Sequence, residues 1–159
     1  MPERTTAKTV TVELGQLARA AVLTAAPDQI DLFTAATARW DAGAGRRGGT
    51  GGSVGSGIEP VLLAEVIGQV LLGAVAEVLG AATVAAWGRR RRWFRRRRDA
   101  RPGPATRVTL DADQAEAVRA ACVRHATTLG LGPAEATMLA DAVHGALCQA
   151  LAEADPVDE

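Results

Sequence analysis

VLLAEVIGQVLLGAVAEVLGAATVAAW (residues 61–87) runs straight into GRRRRWFRRRR (residues 88–98). Glu59 and Pro60 precede it, and proline is favoured in a first helical turn. As a helix these 27 residues would span roughly 40 Å, against about 30 Å of bilayer hydrocarbon. An apolar run of that length, closed by an aromatic and then by arginines, has the pattern of a helix stopped at a headgroup surface. Residues 58–88 therefore read as one apolar membrane helix, and 89–105 as a juxtamembrane segment ending in a Pro/Gly hinge, DARPGPA.

On a helical wheel Leu63, Ile67, Val70, Leu71, Ala74, Val75, Val78, Leu79, Ala82 and Ala85 share a broad apolar face. Glu65, Gln69, Gly73, Ala76, Glu77, Gly80 and Thr83 collect on the other side. Small and polar residues in such a seam let backbones approach and hide polar groups from lipid. Glu65, Gln69, Gly73, Glu77 and Gly80 are thus the expected self-association residues of a homo-oligomer, with a pore along the Glu65, Gln69 and Glu77 seam as a sharper version. With Trp87 at one interface, Glu77 would lie roughly 15 Å deep, where a carboxylate needs a proton, a partner or water. The same pattern also fits a buried helix of a soluble bundle, with Glu65 and Glu77 on its wet edge.

Net charge is zero over the 159 residues, but the distribution is uneven. Residues 89–101 carry nine Arg against one Asp, and residues 102–159 carry three basic against nine acidic residues. Arg89, Arg90, Arg91 and Arg92, then Arg95, Arg96, Arg97 and Arg98, flank Trp93 and Phe94. Guanidinium groups beside interfacial aromatics suit an anionic lipid surface. They would equally suit phosphates with stacked bases, but the adjoining apolar run favours lipid over nucleic acid. Positive charge stays on the cytoplasmic side, so the expected location is a bacterial-type inner membrane with the carboxyl-terminal part cytoplasmic, the alternative being the cytoplasm. The amino-terminal part would be translocated, or the helix re-entrant; both stay open.

The remaining chain predicts an all-α protein of two helical hairpins. In residues 1–42, Leu14, Leu17, Ala18, Ala21 and Val22 recur at helical spacing, and Ile30, Phe33, Ala36 and Trp40 follow after Pro27 and Asp28. Thr9 to Val12 has strand-forming residues, but a lone strand is unstable, so it is read as the approach to a helix. Residues 43–57 hold eight glycines in fifteen positions, a flexible linker by composition. Neither a preceding strand nor a closing Lys-Ser/Thr makes it a phosphate loop. No export signal of ordinary form opens the chain.

In residues 106–159, Thr109 or Asp111 caps a helix with Ala115, Val118, Ala121, Cys122, His125 and Leu129 inward. Gly130 to Gly132 turns the chain, and Pro133 starts a helix with Met138, Leu139, Ala142, Val143, Ala146, Leu147 and Leu151 inward. This acidic hairpin is the expected surface for a protein partner. The run VRAACVRHATTLGLGPAEATMLADAVHGALCQALAEA (118–154) resembles the first two helices of anti-sigma-factor serine kinases of the histidine-kinase-like ATPase class. Where that family carries a Glu and an Asn toward nucleotide and magnesium, this chain has Gly145 and Gln149. The resemblance implies a helical hairpin and no ATPase.

Cys122, His125, His144 and Cys148 have the residue types of a zinc site. A turn near residue 131 staggers the pairs by roughly 11 to 12 Å along the hairpin, too far to converge on one ion or to form a disulfide. His125, Asp141 and His144 have no nucleophile tied to them. The expectation is a non-enzymatic, membrane-anchored adaptor or scaffold with no catalytic residue, cofactor or metal; the alternative is a soluble all-α adaptor, with the apolar helix buried and the arginines binding an acidic protein or nucleic acid.

Overall fold

A computed structural model describes residues 8–41, 63–87 and 103–154, with the side-chain surroundings of the middle segment described as far as Gly80. The described chain is mostly helical, as the sequence predicts. In order it forms β1 (Thr9–Glu13), α1 (Leu14–Ala25), a 3₁₀ turn (Pro27–Gln29), α2 (Ile30–Asp41), α3 (Leu63–Trp87), β2 (Arg107–Asp111), α4 (Ala112–Thr128) and α5 (Pro133–Glu153).

The strands correct the reading of Thr9 to Val12 as a helix approach. β1 pairs with β2 in antiparallel register, with Val10 opposite Leu110, Thr11 opposite Thr109 and Val12 opposite Val108. The Thr11 and Thr109 hydroxyls lie 2.8 Å apart on the exposed face, while Val10, Val108 and Leu110 point into the core. A two-stranded ribbon is marginal by itself; here its apolar face rests on helices, β1 against α1 and α5 and β2 against α4.

Each strand runs without a loop into a helix, and the two strand–helix units cross over in their packing. α1 packs on α5 and α3, and α4 packs on α5 and α3, with α2 laid against α1 and α3. The amino-terminal helices and the carboxyl-terminal hairpin therefore share a core, with α3 built into it. Leu63, Ala64, Val66, Ile67, Val70, Leu71, Ala74 and Val75 of α3 are all at most 9% exposed. Opposite them lie Leu14, Leu17, Ala18, Ala21 and Val22 of α1, Phe33 of α2, and Val118, Ala121 and Cys122 of α4 in the same apolar cluster. Alanines at so many of these positions let helix axes come close and offset the scarcity of large side chains. Among the described residues no polar or charged side chain is buried.

The turns follow the sequence. α4 ends in a paired-bond glycine cap: Gly130, at φ 99°, donates to Thr127 and Leu131 donates to Ala126. Leu131 is buried behind it. Met138, expected inward, is 44% exposed. The buried stripe of α5 runs through Ala136, Leu139, Ala140, Val143, Leu147 and Leu151, so two alanines take the inner positions and the longer methionine is turned out.

Candidate functional site

The polar edge of α3 is the feature most unlike the rest of that helix. Glu65, Gln69, Glu77 and Gly80 are exposed and Gly73 is half-buried, so the predicted seam is the strip of α3 left outside the core. Its middle is occupied by α4. Glu77 Oε1 accepts a 2.5 Å hydrogen bond from Arg124 Nη2, and Glu77 Oε2 lies 3.0 Å from His125 Nε2, leaving both carboxylate oxygens engaged. The hydrogen bond from the Arg124 guanidinium is the main influence that holds the Glu77 pKa below its ordinary value; desolvation pushes the other way, and the His125 imidazole adds to the lowering.

Gly73, one turn before Glu77, is what lets the imidazole reach. A Cβ at residue 73 would sit 2.7 Å from His125 Nδ1 and 2.9 Å from Cε1, so any larger residue drives the ring off α3. His125 belongs to the last turn of α4. α3 runs on for ten residues beyond Glu77 to Trp87, roughly 15 Å at helical rise, before the arginine tract. Arg89 to Arg98, with Trp93 and Phe94, lies outside the described residues, as do residues 43–57 of the linker and the surroundings of Ala82, Thr83 and Ala85.

A second polar group joins α4 to α5. Arg119 places Nε and Nη2 each 2.7 Å from Asp141 Oδ1 and reaches Glu116 at 3.4 Å. The hydrogen bond to Asp141 raises the Arg119 pKa further. Glu116 Oε2 lies 3.2 Å from His144 Nε2, and Cys148 Sγ lies 3.5 Å from that same nitrogen. A thiol, imidazole and carboxylate are the parts of a nucleophilic relay, but a relay needs thiol and carboxylate on opposite ring nitrogens. Here both meet Nε2, so the carboxylate competes with the thiol instead of orienting the ring toward it.

The other candidate residues are dispersed. His125 faces α3 while Asp141 and His144 make separate contacts, so the three do not form one acid–base centre. Cys122 is buried in the core and Cys148 is exposed. Burial pushes the Cys122 thiol up to about 12, which removes it as a nucleophile at neutral pH. Among the described residues no group of three or more His, Cys, Asp or Glu is arranged to hold a metal ion. Gly145 faces open space and Gln149 bonds Glu153.

Arg124 is the site residue that helical periodicity misses. A wheel marks it as a solvent-facing cation of α4; its partner stands 47 positions earlier in sequence. No protein family, curated protein or solved structure gives a significant match to the chain.

Proposed function

We propose that the protein is a non-enzymatic adaptor: a folded helical body held at an anionic membrane surface by the tract Arg89–Arg98, with the acidic outer side of α4 and α5 turned to a protein partner. The observation that carries this reading is the burial of α3. Among the described residues one helix, over Leu63–Gly80, is long and apolar enough to cross a bilayer, yet its large side chains are spent on the core. Taking α3 into lipid would leave the facing side chains of α1, α2 and α4 in water, each losing about 1.5–3 kcal/mol of burial. Peripheral attachment through the arginines needs no such loss. Each Arg near an anionic surface contributes about 1 kcal/mol, and Trp93 and Phe94 suit the headgroup boundary. Asp113, Glu116, Glu135, Asp141 and Glu153 of α4 and α5 are exposed and would give a partner an acidic face.

Flotation of the purified full chain with vesicles tests the first half. Phosphatidylglycerol-rich vesicles should carry the protein, neutral phosphatidylcholine vesicles should not, and salt should release it. Replacing the eight arginines of 89–98 by glutamine should abolish flotation while leaving the helical circular-dichroism signal intact. Binding that is indifferent to salt and to those arginines would defeat the proposal, as would tighter binding to RNA than to anionic lipid.

A further inference from the structure

We propose that Glu77 is the release catch of α3: while Arg124 and His125 share its carboxylate the helix stays in the water-soluble core, and loss of its charge at an anionic surface lets α3 leave the core and cross the bilayer. The inference rests on the peripheral reading above and adds a second, inserted state.

Three observations meet at this residue. First, α3 is simultaneously a core helix and the helix of the right length and apolarity to span, so it has two environments in which its large side chains are out of water. Second, its carboxylates are unequally placed for the second environment. With Trp87 at one boundary, Glu65 is 22 residues away, roughly 33 Å, which brings it to the opposite headgroups. Glu77 falls near the middle, so it is the described acidic group of α3 that would lie in hydrocarbon, where an ionised side chain strongly opposes insertion. Third, the same carboxylate is the ionic tie between α3 and its neighbours. Its ion pairs run to Arg124 and His125 of α4; α1 and α2, also packed on α3, make no ion pair with it among the described residues.

Protonation of Glu77 therefore does two things in the same direction: it weakens the hold of α4, and it removes the charge that bars the midplane. An imidazolium at His125 only strengthens the hold, so release waits for Glu77 itself. Gly73 sets how closely the catch engages, because it admits the His125 ring against α3.

The test compares the full-length wild type with Glu77→Gln on phosphatidylglycerol-rich vesicles at neutral pH, followed by an alkaline carbonate wash. Glutamine keeps the shape and removes the charge. Wild type should be released by carbonate, while Glu77→Gln should remain in the pellet at a level at least about tenfold higher, the direction set by the cost of a mid-bilayer charge. Release of both to the same extent overturns the catch while leaving peripheral binding standing; failure of both to bind anionic vesicles overturns both readings. Should Glu77→Gln fail to fold, judged by circular dichroism, the wild type is washed after incubation at about pH 3, below the ordinary carboxylate range, and at neutral pH. Retention confined to acid supports the catch, and equal release at both values overturns it.

Discussion

The two places where a strand becomes a helix make the same step by opposite means. At β2–α4, Asp111 accepts from the Gln114 amide at 2.8 Å and Gln114 returns a side-chain acceptor to the Asp111 amide at 3.0 Å, a reciprocal cap written within four residues. At β1–α1 the equivalent position is Glu13, which makes no capping bond. The first amides of α1 are instead taken by backbone from the other half of the chain, Leu14 donating to Thr106 and Gly15 to Pro104. The difference teaches that α4 carries its own starting signal, whereas α1 begins where residues 104–106 are held against it. Order in the amino-terminal unit depends on the carboxyl-terminal unit more than the reverse.

The strongest way to break that comparison is at Gly15. A Cβ there would stand 2.9 Å from the Pro104 carbonyl oxygen and 3.0 Å from its Cβ. Gly15→Val should force the 104–106 segment away from α1 at a cost of about 1–3 kcal/mol, read as a fall in the urea midpoint. Hydrogen exchange should speed up in α1 and β1 first. Equal loss of protection in α4 would show that the two starts are not independent.

A smaller effect sharpens the contrast from the other side. Asp111→Ala removes a working cap and should cost about 0.5–2 kcal/mol. Glu13→Ala removes a side chain that caps nothing and should stay within about 0.5 kcal/mol. Equal losses from the two substitutions, measured by chemical denaturation, would contradict the assignment of different caps.

What could be read in the sequence follows the same division between local and distant signals. The inward face of α1, the Asp111 cap and the glycine turn at Gly130 each depend on residues within a few positions, and periodicity finds them. The ribbon joins residues 98 apart at Thr11 and Thr109, so β1 looks like an unpartnered strand until the chain is folded. The start of α3 is held the same way: the Ala64 amide donates to Gln29 Oε1, 35 positions earlier, where the sequence offers only Pro60 as a sign. The edge of α3 was legible as polar, with Glu65, Gln69 and Glu77 on one side. Its neighbour was not, because Arg124 announces nothing about which helix it faces. The outward turn of Met138 was hidden for a related reason, since a wheel ranks side chains by apolarity while close packing places alanine innermost.

The comparison extends to the ties that hold α4 on its two sides, and pH separates them with the smallest expected effect. Glu77 has its pKa lowered in the folded state, so its contribution is complete above the ordinary carboxylate range and is lost as pH falls through the lowered value. Arg119 has its pKa raised, so its contribution is present throughout the neutral and acidic range and is lost only in strong alkali. Of these two shifted groups, the acid limb of stability belongs to Glu77. The midpoint difference between wild type and Glu77→Gln should be greatest near neutrality and close at low pH, while the difference between wild type and Arg119→Gln should not change as the Glu77 difference closes. Both ties are open to solvent, with Glu77 at 46% and Asp141 at 53% side-chain exposure, and water screens exposed pairs. Their loss should therefore move stability less than either junction does. A wild-type to Glu77→Gln difference that stays flat with pH would assign the residue to packing instead of charge, and α3 would then be held to α4 by the apolar core and the fit of His125 over Gly73, with no ionic contribution.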